Sequence, residues 1–224
     1  AKVVIVSRSP EQAIQKAKQL SSQGQQALGI GCDVSQPEQV QKMIAEVIKH
    51  FGRLDYAVNN AGITGEHGKN ITEQTVENWD KVIATSLSGV FYCLKYEIPA
   101  MMKSGGSIVN LSAVNGLVGI PGLAPYTVAK HGIIGLTQTA ALEFATQGIR
   151  INAVAPGYVQ TPRMSEFPDN IVRSFANSHP MKRMAKMQEI ADFILFLLSE
   201  NAAFCTGGVY PDRKSTRLNS SHCC

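Results

Sequence analysis

Short apolar runs alternate with stretches of helical periodicity from residue 1 to residue 211, and this alternation narrows the fold more than any other feature. Val3–Ser7 reads as a strand, and Ser9-Pro10-Glu11-Gln12 then opens a helix. Ser9 can cap, Pro10 takes the first helical position, and Gln12 completes a capping-box spacing. Ala13, Ile14, Ala17 and Leu20 share one face, and Gly24 stops the helix. Ala27–Cys32 reads as a second strand, and Ser35 with Glu38 spells a second capping box. Val40, Met43, Ile44, Val47, Ile48 and Phe51 then form an apolar stripe that ends at Gly52. The pattern continues with a strand over Leu54–Val58, a long helix from Glu77 to Met102 and a strand over Ser107–Leu111. A helix over Tyr126–Thr146, a strand over Ile149–Ala155, a helix over Gln188–Leu198 and a strand beginning at Gly208–Pro211 complete it.

Strands alternating with helices predict parallel βαβ units and an α/β fold. Fully apolar strands such as Val3–Val6 suit a doubly wound, Rossmann-like parallel sheet covered on both faces. Ligands of such sheets bind at the carboxyl ends of the strands, so chemistry is to be sought just after each one.

Composition excludes several classes. A 44% hydrophobic content is incompatible with a disordered chain. The longest apolar run, Phe193–Leu198, is too short for a membrane span. A net charge of +4, with no Lys/Arg cluster interleaved with aromatics, predicts no nucleic-acid partner. The five cysteines, at positions 32, 93, 205, 223 and 224, lack metal-ligand spacing. No metal site is expected, and the scatter suits reduced thiols in the cytoplasm. Residues 212–224 lose all hydrophobic periodicity. Asp212–His222 also spells one reading frame of a widely used sequencing-adapter oligonucleotide, so 212–224 is expected to be a non-native tail beside a 1–211 domain. Without that tail the charge falls to +2 and the cysteines to three.

Tyr126 and Lys130 stand four residues apart at the head of a predicted helix, on one face. A neighbouring ammonium favours a phenolate, which would bring Tyr126 toward neutrality and make it an acid/base group for a hydroxyl/carbonyl couple. Taken alone, the pair also fits an ordinary surface contact. Its context is more specific. Cys32-Asp33-Val34 follows the second strand, and Asn59-Asn60-Ala61-Gly62 follows the third. Gly106-Ser-Ile-Val-Asn110-Leu-Ser112 precedes the Tyr126 helix, and Asn152-Ala-Val-Ala-Pro156-Gly157-Tyr-Val159-Gln-Thr161-Pro162 follows the next strand.

In this order and spacing the chain resembles the short-chain dehydrogenase/reductase family over residues 1–211. The resemblance implies an NADP(H)- or NAD(H)-linked oxidoreductase acting on a small alcohol or ketone, with Tyr126 exchanging the proton. Lys130 would bind the nicotinamide ribose and hold down the Tyr126 pKa. Asp33 and Val34 would meet the adenine, and Asn60, Ala61 and Gly62 would run along the cofactor. Pro156, Gly157, Val159 and Thr161 would flank the nicotinamide. The coenzyme position after the first visible strand holds Ser7 and Arg8, which suits the 2′-phosphate of NADP(H) rather than NAD(H).

Three departures from the family pattern stand out. The glycine-rich loop between the family's first strand and first helix is absent, and the chain opens inside an apolar run. A domain lacking its first strand, by loss of roughly 30 residues, is therefore expected. The family's catalytic serine aligns with Ala113; Ser112 is one residue earlier, on the opposite face unless a bulge re-aims it. The family's relay asparagine aligns with Ser86. Ser112 and Ser86 are thus the candidate relay hydroxyls, and the competing reading is a catalytically silent dinucleotide-binding or scaffold subunit. His131 reads as a packing or surface residue. The long helices around 77–102 and 126–146 match the family's subunit interfaces, implying a homodimer or homotetramer. Substrate choice is expected within 162–186, where Met164, Phe167, Phe175, Met181 and Met184, with Met187 just beyond, make either an adaptable lid or helical packing.

Overall fold

Ser9 caps the first helix: its Oγ accepts from the Gln12 backbone N–H at 3.3 Å, with Pro10 at the first helical position. In the computed structural model, which describes residues 1–211, helix α1 (Pro10–Ser21) follows strand β1 (Lys2–Ser7). The expected foreign tail, 212–224, lies outside the described residues. Next come β2 (Gln26–Gly31), α2 (Pro37–Phe51), β3 (Tyr56–Asn59), α3 (Val76–Ile83) and α4 (Gly89–Met101). The chain continues with β4 (Gly106–Leu111), α5 (Ala124–Phe144), β5 (Ile149–Ala155), β6 (Val159–Gln160) and α6 (Asp169–Asn177). It ends with β7 (Ala185–Lys186), α7 (Met187–Leu198) and β8 (Val209–Pro211). No helix among the described residues is long and apolar enough to cross a membrane.

The capping box expected at Ser35 and Glu38 does not form. Asp33 takes both the Ser35 N–H (3.0 Å) and the Ser35 hydroxyl (2.7 Å), so α2 starts at Pro37 behind Gln36, which makes no side-chain cap. Gly52 ends α2 at φ 81°, a left-handed conformation open to glycine at little cost. The long helix expected from Glu77 to Met102 is also corrected. A π-helical turn over Ala84–Ser88 joins α3 to α4, and such insertions concentrate at functional sites.

Every strand pair among the described residues is parallel. β3, β4, β5 and β8 lie side by side in that order, and helices cover both faces. Alternate residues of β4 part to opposite sides. Ile108 packs with Met101, Ile133, Ile149 and Ile151 under α4 and α5, whereas Val109 and Leu111 pack with Val154 and Leu197 under α7. Burying each such side chain contributes about 1.5–3 kcal/mol. The doubly wound reading thus holds, but the sheet is not continuous. Among the described residues β1 and β2 pair only with each other, and they are held to the rest by a separate apolar cluster in which Val40, Met43 and Val47 of α2 meet Cys93 of α4.

A buried polar chain crosses the larger sheet. Asn59 Nδ2 donates to Glu97 Oε2 (2.9 Å) and to Asn110 Oδ1 (3.0 Å). Asn110 Nδ2 donates to Thr137 Oγ1 (2.9 Å), whose hydroxyl donates to the Ile133 carbonyl (2.8 Å). β3, α4, β4 and α5 are linked in this way through satisfied side chains, which avoids the desolvation cost of lone buried polar groups.

Candidate active site

The carboxyl ends of β1, β3, β4 and β5 open onto one cleft of about 750 Å³. Arg8 comes from the end of β1, Asn60 and Gly62 from the end of β3, and Ser112 and Ala113 from the end of β4. Pro156 and Gly157 follow β5, while Tyr126 and Lys130 come from the first turns of α5. Eight of the candidate site residues, with Ala113 beside them, therefore share this space. Ala61 and Val34 instead line a neighbouring cavity. Asp33, Val159 and Thr161 line neither cavity. Asp33 is committed to Ser35, which holds its carboxyl below the ordinary range, and Val159 starts the short ladder to β7.

Lys130 is buried, and its Nζ donates to the Leu111 carbonyl at 2.6 Å while lying 5.4 Å from the centre of the Tyr126 ring. An ammonium carries three donors, so the Leu111 bond leaves others for the cleft. The expected lowering of the Tyr126 pKa is not what this environment produces. Burial disfavours both charged forms: it pushes the phenol up to about 12 and the ammonium down to about 8. Desolvation outweighs the attraction of the pair, and Tyr126 keeps its proton through the neutral range.

Ser112 lines the cleft, but its hydroxyl is already used. Its Oγ donates to the Lys130 carbonyl at 2.9 Å and thereby braces the helix that carries Tyr126. The expected role of Ser112 as a substrate-facing donor does not match this geometry, and Ala113 beside it presents a methyl group. Ser86 sits on the π-helical turn, where its Oγ accepts from the Ile63 N–H (2.9 Å) and donates to the Ile63 carbonyl (2.9 Å). A Cβ built on Gly62 would lie 3.4 Å from Ser86 Oγ and 3.8 Å from Lys130 Nζ, so Ser86, Gly62 and Lys130 adjoin.

The structure adds cleft residues that the motifs did not indicate. After Gly62 the chain folds over the cleft through Ile63–Glu66, and Asn78 pins this loop by accepting from the Glu66 N–H at 3.0 Å. Gly65 takes φ 71° there, and a side chain would run into Asn78 and Val82. The only sequence signal for this wall was the long gap between strand and helix after Gly62. Four cationic side chains (Arg8, Lys81, Lys130, Arg163) face the cleft against two carboxylates (Glu66, Glu77). The balance favours an anionic ligand.

At the rear of the cleft His179 is buried, and its Nε2 accepts from the Tyr158 N–H at 2.9 Å. Its ring fills the space that a side chain at Gly157 would need. Phe175 stacks on Tyr158 at 4.1 Å, so α6 buttresses the Pro156–Gly157 turn. Of the two readings of 162–186, packing accounts for these contacts.

A dinucleotide suits one end of this site. The free Lys130 donors, the Tyr126 hydroxyl and the Pro156–Gly157 turn could hold a nicotinamide riboside, and Arg8 faces the other end. Among the described residues no glycine-rich turn leads from a strand into a helix N-terminus to cradle the pyrophosphate.

Known proteins place these observations. A family profile described as enoyl-(acyl carrier protein) reductase matches residues 1–211. Cyclohexanol dehydrogenase of Acinetobacter sp. (strain SE19) is 40% identical over 210 residues, covering 92% of this chain and 82% of that protein. A solved structure titled ElxO with NADP bound superposes with a TM-score of 0.86 at 38% identity, covering 92% of this chain and 85% of that one. NAD+-bound xylitol dehydrogenase superposes at 0.87 with 29% identity, covering 92% and 85%. With its parallel α/β fold, its Tyr126–Lys130 cleft and these relatives, the chain belongs to the short-chain dehydrogenase/reductase family of NAD(P)-dependent oxidoreductases.

Proposed function

We propose that the chain interconverts an alcohol and a ketone with NADP(H), accepting NAD(H) less well, and that Tyr126 is the proton-transfer group. The observation that carries this reading is the convergence of Tyr126, Lys130 and Arg8 on one cation-rich cleft at the strand ends. Relatives titled with NADP and NAD+ and the similarity to cyclohexanol dehydrogenase support it. A bound nicotinamide supplies hydride chemistry. The protein supplies position and a proton. Lys130 offers its spare donors to ribose hydroxyls, with Asn60, Ala61 and Gly62 alongside and Pro156 and Gly157 flanking the ring. Val34 borders the adenine, and Arg8 meets the 2′-phosphate. A phenol at about 12 is an acid throughout the neutral range, so Tyr126 is set to protonate a carbonyl oxygen during reduction. Exposed Phe91 on α4 and Leu142 on α5 suit these helices to a homodimer or homotetramer contact.

One observation favours a second reading. With Ser112 bonded to the Lys130 carbonyl and a methyl at Ala113, the substrate oxygen has one donor fewer, as in a silent dinucleotide-binding subunit. NADPH oxidation against a panel of ketones separates the two. The enzyme reading expects turnover that falls at least 10²-fold in Tyr126→Phe. NADPH binding with no turnover above that variant would establish the silent reading instead.

A further inference from the structure

The turn after β5 is held by bonds from three other parts of the chain. The Pro156 carbonyl accepts from the Val114 N–H at 2.9 Å, and the Tyr158 carbonyl accepts from the Ala185 N–H at 3.1 Å. The Tyr158 N–H instead finds a side chain, donating to Nε2 of His179 at 2.9 Å. Between these anchors Gly157 keeps its own N–H and carbonyl without a protein partner among the described residues, and it lines the active-site cleft. What the turn offers a ligand therefore depends on how the bonds of its neighbours aim Gly157.

His179 is itself firmly anchored. Its N–H donates to the Ala176 carbonyl at 3.1 Å, at the end of α6, and its carbonyl accepts from the Lys182 N–H at 3.0 Å. Pro180 restricts the backbone between these bonds. The ring is only 2% exposed, and a Cβ at Gly157 would run into its Cε1, Nε2 and Nδ1 atoms. Gly157 does not take a positive φ, so the close approach of the ring, and not the backbone angle, is what requires glycine there. The Tyr158 ring stacks on Phe175 and lines no part of the cleft, so Tyr158 serves the site through its main chain. A leucine or phenylalanine at 179 would fill space behind the turn but leave the Tyr158 N–H without an acceptor, which is costly. To accept that bond Nε2 carries no proton, so the neutral ring holds its proton on Nδ1.

We infer that His179 is a positioning residue for the nicotinamide end of the cleft. By accepting from the Tyr158 N–H it holds Gly157 with its unpaired N–H and carbonyl at the cleft wall. The inference rests on the NADP(H) reading above. His179 does not line the cleft, so it acts only through the turn. Without the acceptor the turn samples other arrangements, and affinity for the nicotinamide half falls with the fraction of molecules that keep the right one. Arg8, at the other end of the cleft, is unaffected.

The test compares NADPH with 2′,5′-ADP, which keeps the phosphorylated adenosine but has no nicotinamide, by titration against the full chain and its variants. His179→Leu should weaken NADPH binding about tenfold, the scale of one lost hydrogen bond, and leave 2′,5′-ADP unchanged. His179→Gln, whose amide oxygen can stand where Nε2 stands, should restore most of the NADPH affinity. Amide hydrogen exchange followed by NMR gives a readout without ligand. The Tyr158 N–H should exchange about tenfold faster in His179→Leu and near the wild-type rate in His179→Gln. Should the Leu variant not fold, Gly157→Ala carries the same test, because its methyl displaces the ring. NADPH alone should then weaken and Tyr158 exchange should quicken. Equal loss of both ligands, equal behaviour of the Leu and Gln variants, or unchanged Tyr158 exchange overturns the inference. A wild-type chain that binds NADPH no more tightly than 2′,5′-ADP overturns the NADP(H) reading and takes this inference with it. Tyr158 exchange that still responds to His179→Leu tells that result apart from a failure of the histidine alone.

Discussion

β4 and Val3–Val6 of β1 look alike as sequences, since both are short apolar runs, yet the protein treats them differently. Ile108 and Val109 of β4 are completely buried, between β3 and β5 and beneath helices on both faces. Val6 of β1 and Val58 of β3 border open space. An apolar strand records only a capacity for burial, and the neighbours decide how much of it is realised. The distinction has a functional side. The closed half carries Tyr126, Lys130 and Ser112 on packed elements, whereas Arg8 stands at the edge of the open half.

Stability measurements test that division most sharply. Ile151→Ala in the closed half should cost about 2–5 kcal/mol in denaturant unfolding, whereas Val58→Ala at the open edge should cost less than about 1 kcal/mol. Equal losses would erase the distinction. The pH dependence of stability comes next. Burial raises Glu97 to about 7, against an ordinary value of 4.5. Folding therefore favours its protonated form, so this contribution is fully present below about pH 4.5 and is lost as pH rises to about 7. The loss is at most about 3 kcal/mol. Glu97→Gln should flatten that window, and an unchanged slope would mean that another group titrates there.

Two smaller effects concern the cleft. Ala113→Ser restores a hydroxyl where Ser112 cannot provide one and should raise ketone turnover about 10- to 100-fold. An unaltered rate would show that another donor already serves the substrate oxygen. Arg8→Ala should weaken NADPH binding about tenfold and leave NADH nearly untouched, as compared by titration. A parallel loss for both coenzymes would show that the 2′-phosphate is not what Arg8 recognises.

Local signals in the sequence were legible where one interaction dominates. Ser9 with Pro10 marked the start of α1, Gly52 marked the end of α2, and the helical spacing of Tyr126 and Lys130 brought both into one cleft. Reading failed where interactions compete. Asp33 captured Ser35 before any capping box could form. The π-helical turn at Ala84–Ser88 keeps the backbone helical between α3 and α4, so it passed for continuous helix. The lowered Tyr126 pKa rested on the charge of Lys130 alone, whereas burial of both groups prevailed. The destination of the Ser112 hydroxyl depended on the backbone of α5, which no pattern within β4 specifies.

The chain of hydrogen bonds from Glu97 through Asn59 and Asn110 to Thr137 has a consequence for how the sheet assembles. Apolar strands such as β3 and β4 can slide past one another and still bury similar area. Asn59 lies directly opposite Asn110 in the observed pairing, and a slip of one residue would turn one of them to the wrong face. Its former partners would then be stranded inside the protein. The asparagines thus act as a key cut for one alignment: mispaired sheets fail at this point, so the alignment that places both strand ends at the cleft is the one that persists.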